Sequence, residues 1–104
     1  MIDRSVLLEF CGGDESLAQN FINMFKVEAQ EASGQLLPFV SARQFDELSN
    51  TAHKLKSHFN YFGAADLAEL AFKVETMSRN EEEDNLAVLV TQLKSQLDEL
   101  LDKI

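Results

Sequence analysis

Little in this sequence punctuates or staples the chain: 104 residues include one proline, one cysteine, four glycines and no tryptophan. The lone cysteine, Cys11, has no partner for an internal disulfide, which excludes a stapled secreted scaffold and fits a reducing compartment. Glycine and proline are too scarce, and apolar residues too abundant at 45%, for a disordered or low-complexity chain. Basic residues are in deficit too, nine against eighteen acids, and the net charge of −9 repels polyphosphate backbones and anionic lipid headgroups. Neither nucleic acid nor membrane contact is expected. No apolar run approaches the roughly 20 residues that cross a bilayer, and Met1-Ile2-Asp3-Arg4 lacks the basic flank and apolar stretch of a signal peptide. The expected setting is the cytoplasm, or the cytoplasmic side of a membrane-bound protein from which this piece is excised.

What is present is helix. The length is one domain's worth, taken as residues 1–104, and apolar residues recur at threes and fours rather than at twos. A short first helix from about Asp3 to Phe10 ends at Gly12-Gly13. Asp14 caps a long second helix whose stripe is Ala18, Phe21, Phe25, Ala29, Ala32 and Leu36, with a break or kink expected at Pro38. Ser41-Ala42-Arg43-Gln44 has the Ser-x-x-Gln spacing of a capping box and predicts the start of a third helix. Its stripe, Phe45, Leu48, Ala52, Leu55, Phe59 and Phe62, runs unbroken to Gly63. A fourth helix carries Leu67, Leu70, Ala71, Val74 and Met77, and a fifth carries Leu86, Val90, Leu93, Leu97, Leu100 and Ile104. The acidic run Glu81-Glu82-Glu83-Asp84 is expected at the start of that last helix, against the positive end of its dipole. Such stripes are buried together in an all-α fold, an antiparallel four-helix bundle with a short additional N-terminal helix over one end.

His53 stands on the wrong side of the third helix for a core residue. At about 100° per residue it lies roughly 130° from the centre of the stripe, facing solvent. Ser49, Lys56, Ser57 and Asn60 sit at spacings that put them on its side, a small polar patch with one cation. His58 lies about 140° around from His53, so the two share no metal ion on this helix. Neither histidine has the Glu-x-x-His spacing of a carboxylate-bridged metal site, since Asn50 and Leu55 occupy those places. No metal or cofactor is expected. A neutral imidazole nitrogen attacks phosphorus, and an ammonium three residues on neutralises the oxygens of the transferred group. Short neighbours let a second protein approach a convex helix surface. His58, at the edge of the stripe, is expected to pack, Lys54 to face solvent, Tyr61 to lie outward, and Cys11 to be a small buried apolar residue.

The run Ala52-His53-Lys54-Leu55-Lys56-Ser57, followed by Gly63-Ala64, resembles the signature of histidine-containing phosphotransfer domains. The similarity extends to Gly-Gly-Asp before a long helix containing Phe25, and to Leu67, Leu70 and Glu75 after the Gly-Ala pair. Ser57 departs from it, standing where the family most often has glycine. The resemblance implies a phosphorelay intermediate. His53 would accept a phosphoryl group from the aspartyl phosphate of a response-regulator receiver domain and pass it to another receiver's aspartate. Lys56 would stabilise its charge, with Ser49, Ser57 and Asn60 as docking contacts. The implied partners are receiver domains and a hybrid sensor histidine kinase, which the parent chain itself would be if this is an excised domain, and the bundle would act as a monomer. No Gly-rich phosphate loop is present, so a phosphocarrier without ATP binding or kinase activity is expected. Any Mg²⁺ would belong to the receiver. The alternative is a helical interaction module that binds a receiver or kinase domain without being phosphorylated.

Overall fold

A computed structural model describes residues 2–104. It contains α1 (Arg4–Phe10), α2 (Glu15–Ser41), α3 (Phe45–Tyr61), α4 (Ala65–Arg79) and α5 (Leu86–Lys103). The four long helices close a ring in which α2 meets α3 and α5, and α4 meets α3 and α5, while α1 touches only α2 and α3. The 27 residues of α2 rise about 40 Å at 1.5 Å each, which sets the 42 Å long axis of the bundle.

Each of the first four helices ends the same way. The residue after the C-cap takes a positive φ, and its own N–H and that of the next residue turn back onto the last carbonyls, satisfying acceptors that the helix leaves orphaned. Gly12 and Gly63 fill that position at φ 65° and 71°, whereas Arg43 and Glu81 fill it at φ 56° and 54° despite their side chains. In the α2–α3 turn the bonds are Arg43 N–H to Val40 O and Gln44 N–H to Phe39 O. Gly63 is doubly required: a Cβ there would stand 2.7 Å from Asp3 Cβ and 3.0 Å from Val6 Cβ. Its bareness lets α1 lie over the α3–α4 turn, where Asp3 N–H donates to Phe62 O at 2.7 Å.

The apolar stripe of α3 is buried in full, from Phe45 to Phe62. Phe25 of α2 meets Phe62 and Phe59 edge-on at centroid distances of 4.9 and 6.0 Å, fastening those two helices. Against α4 the contact is finer. Ala52, Ala68 and Ala71 are all buried at this seam, and such small side chains let two helices approach closely. A polar cluster also joins α2 to α5: Ser33 Oγ, buried, donates to Asp98, and Lys94 Nζ donates to both, at 3.1 Å to Ser33 and 2.8 Å to Asp98.

Four local expectations are corrected. The second helix does not break at Pro38 but continues to Ser41. Proline leaves only the Gly34 carbonyl without its helical donor, and both residues are exposed, so the missing bond carries no burial penalty. The Ser41 capping box does not form, because Ser41 is the last residue of α2 and Gln44, the N-cap of α3, makes no side-chain capping bond. Its turn is held by the backbone bonds of Arg43 and Gln44 instead. The acidic run precedes α5 rather than opening it: the N-cap is Asn85 and the first turn holds no acid. Glu81 is spent on closing α4, and Glu83 pairs with Arg43 across the end of the bundle. In α2, Ile22 takes the fully buried place and Phe21 is only half-buried.

Candidate phosphoacceptor site on helix α3

His53 is exposed, with 56% of its side chain open to solvent. Its Nδ1 lies 3.0 Å from Oε2 of Glu75, whose side chain is only 4% exposed at the α3–α4 seam. Glu75 is on the inward stripe of α4, one residue after buried Val74 and three before buried Ser78. The close pairing of α3 and α4 therefore puts a carboxylate directly beneath the imidazole.

That carboxylate serves three donors. Arg79 Nη2, one turn on along α4, donates to the same Oε2 at 2.8 Å. Lys56 Nζ pairs with the other oxygen, Oε1, at 3.0 Å. The ammonium also lies over the face of Phe72, 5.0 Å from the ring centroid. Burial alone would push the Glu75 carboxyl up. Its contacts with Lys56 and His53 outweigh burial and hold it below the ordinary 4.5, ionised at neutral pH.

An ionised carboxylate only accepts hydrogen bonds, so Nδ1 must carry the proton of the neutral ring. Nε2 is left as the basic nitrogen, on a ring open to solvent. The arrangement is a fixed tautomer on a convex surface, with an exposed guanidinium and a half-buried ammonium sharing its anchoring carboxylate.

Of the residues expected beside His53, Lys56 joins it through Glu75, and Asn60 is exposed on the same face. Ser57 is half-buried and its Oγ donates to the His53 carbonyl at 3.2 Å, the backbone bond that a serine one turn on readily makes. Ser49 is not on the open face. It is buried at 5% exposure, with Oγ 3.5 Å from the Glu75 carbonyl, because the seam with α4 covers that flank of α3. Glu75 and Arg79 were not singled out from sequence as site residues. The signal that was available is an acid seven residues after Ala68 and four after Ala71, the spacing of one helix face.

His58 lies apart from this site. It is half-buried beside Phe25, its Nε2 is 3.2 Å from Glu28, and burial pushes it down from 6.5 against the opposing pull of Glu28. Lys54 is exposed, and Cys11 is buried as a free thiol. Among the described residues no group of three or more His, Cys, Asp or Glu side chains is placed to hold a metal ion, and no helix is long and apolar enough to cross a membrane.

A family model described as "Hpt domain" matches residues 20–103, from within α2 to the last residue of α5. Neither the curated proteins nor the solved structures yield a match.

Proposed function

Since the chain belongs to the Hpt family, whose members are phosphocarriers rather than kinases and serve histidine phosphotransfer in phosphorelays, we propose that His53 is the residue that carries the phosphoryl group. The observation that supports this most is the exposed imidazole with Nδ1 held 3.0 Å from a buried carboxylate.

The step is a displacement at phosphorus. The Nε2 lone pair of His53 forms a bond to the phosphorus of a receiver's aspartyl phosphate while the bond from phosphorus to the carboxyl oxygen breaks, its electron pair returning to the aspartate. The ring gains positive character as Nε2 binds phosphorus. Glu75, accepting from Nδ1–H, stabilises that charge without taking the proton. Lys56 and Arg79, both within reach of the same carboxylate, supply cationic donors for the oxygens of the transferred group. Transfer to a second receiver reverses each bond change.

On this reading residues 1–104 work as one domain, docked transiently by receivers and by a hybrid sensor kinase over the face of His53, Ser57 and Asn60. Ser49 is excluded from that contact by its burial. The proposed setting is the cytoplasm or the cytoplasmic side of a sensor kinase.

The test offers a phosphorylated receiver to the wild-type chain and to His53→Gln. Acid-labile, alkali-stable label on the wild type alone is the expected outcome. Label retained by His53→Gln, or none on the wild type with its own cognate receiver, overturns the assignment.

A further inference from the structure

Phe72 is the most exposed phenylalanine of the chain, 53% open to solvent on α4, and a lone exposed ring is by itself ordinary. Its neighbours make this one different. Phe72 stands three residues before Glu75 and seven before Arg79, the spacing of one helix face, so ring, carboxylate and guanidinium form a row along α4 beside α3. Lys56 Nζ lies over the ring face, 5.0 Å from its centroid, and 3.0 Å from Glu75 Oε1. The ammonium is therefore met by two successive turns of α4, which close the lysine side chain in to 23% exposure.

A lysine side chain has a long flexible stem, and fixing its head in one place costs rotamer entropy that a single ion pair at a surface recovers poorly. A second carboxylate would hold the head more firmly, but it would also cancel the positive charge that a transferred phosphoryl group needs nearby. An aromatic face has no such drawback. It attracts the cation through the ring quadrupole, yet brings no net charge and no oxygen to compete for the ammonium. Helix formation does not account for the ring either, since leucine or alanine favours a helix more than phenylalanine does.

We propose that Phe72 is a positioning residue for phosphoryl transfer, holding the Lys56 ammonium on the flank of the Glu75–His53 pair over an uncharged face that leaves its charge to act on the phosphoryl oxygens. This rests on the phosphotransfer reading of His53. Phe72 acts through Lys56, and the bond changes at phosphorus are those already given.

The experiment labels the full chain with phosphoramidate, a small phosphoryl donor that needs no docking surface. Wild type, Phe72→Leu, Phe72→Tyr, Lys56→Met and the Phe72→Leu/Lys56→Met double variant are compared in single turnover, and thermal melts show that each is folded. Phe72→Met replaces Phe72→Leu should the latter melt early. Phe72→Leu is expected to slow labelling of His53 about threefold, the size of one exposed cation–π contact, and Phe72→Tyr, which keeps the aromatic face, to label at the wild-type rate. Lys56→Met is expected to be slower still, and the double variant no slower than Lys56→Met, because the ring then has nothing to hold. The ring current of Phe72 is expected to shift the Lys56 ε-methylene protons upfield in the wild type and not in Phe72→Leu. Equal rates in wild type and folded Phe72→Leu, or a double variant slower than Lys56→Met by the full Phe72→Leu factor, overturn the inference about Phe72 alone. A loss seen only when a phosphorylated receiver is the donor makes Phe72 a partner contact and overturns it too. No label on wild-type His53 from phosphoramidate or from the cognate receiver overturns the phosphotransfer reading, and this inference with it.

Discussion

Glu75→Gln isolates the charge beneath the imidazole, because glutamine keeps the shape of the side chain and one acceptor oxygen. In the wild type the carboxylate lies 3.0 Å from His53 Nδ1 and is nearly closed to water, so the bond is charge-assisted and little screened. Hydrogen bonds to charged groups contribute about 1.5–3 kcal/mol against about 0.5–1.5 for neutral pairs, a difference of about 1–1.5 kcal/mol. That contribution grows as the ring becomes cationic on attacking phosphorus, so it belongs to the transition state. At about 1.4 kcal/mol per factor of ten, Glu75→Gln should slow phosphorylation of His53 about tenfold. Glu75→Ala, which removes the whole bond, should slow it roughly 10- to 100-fold. The assay is single-turnover labelling by phosphoramidate, which leaves docking out, with the ring ¹⁵N shifts of His53 reporting its tautomer. Wild-type rates in both variants, with the Nδ1–H tautomer unchanged, would refute the reasoning.

Gly63→Ala should lose about 2–4 kcal/mol in urea denaturation, about 1–2 from the left-handed backbone and the rest from the Cβ driven against Asp3 and Val6. In a chain lacking α1 only the backbone part should remain. Glu81→Gly should stabilise the chain by about 1 kcal/mol, since Glu81 is exposed and closes α4 at φ 54°, and a melting temperature no higher than wild type would count against that. His58 binds its proton less readily in the folded chain than its ordinary 6.5. The unfolded chain therefore takes up the proton first, so stability is full above 6.5 and falls as pH drops from there through the lowered folded value. His58→Gln should flatten that decline in denaturation midpoints taken across it. Glu75 and Asp98, both held below their ordinary 4.5 and 3.8, add stability that is present above those values and is lost only as pH falls through the lowered ones, so acid unfolding of Glu75→Gln should be less steep there.

The architecture was legible because each long helix advertises one face. The α3 stripe has no fault from Phe45 to Phe62, and every member is buried. The misreadings fall where two local rules compete or where the deciding atoms belong to another element. Ser41-x-x-Gln44 satisfies the spacing of a capping box, yet a helix cap and a helix end compete for the same four residues, and the backbone closure through Arg43 prevailed. Pro38 would break a helix whose Gly34 carbonyl were buried, and that carbonyl's exposure is not written in the local sequence. Ser49 shares His53's side by spacing alone, and only the approach of α4 decides that one is covered and the other open.

The same approach explains why the candidate site needs two helices although its signature lies on one. A histidine on an isolated amphipathic helix has free choice of tautomer and no fixed ring orientation, and either deficiency works against attack on phosphorus through a chosen nitrogen. Alanines 52, 68 and 71 draw α3 and α4 together, and the seam they create is narrow enough to keep Glu75 from water while its oxygens still reach three exposed or half-exposed cationic or donor groups. The cost of burying that carboxylate is offset by the groups it orients, which is why it stays ionised at the seam. The imidazole is exposed on the outer surface of α3, which suits a carrier: the walls of the reaction chamber arrive with the partner. What the bundle must provide alone is a nitrogen of fixed tautomer, nearby positive charge and an approachable surface, and the small residues at the α3–α4 seam supply the first two while leaving the third open.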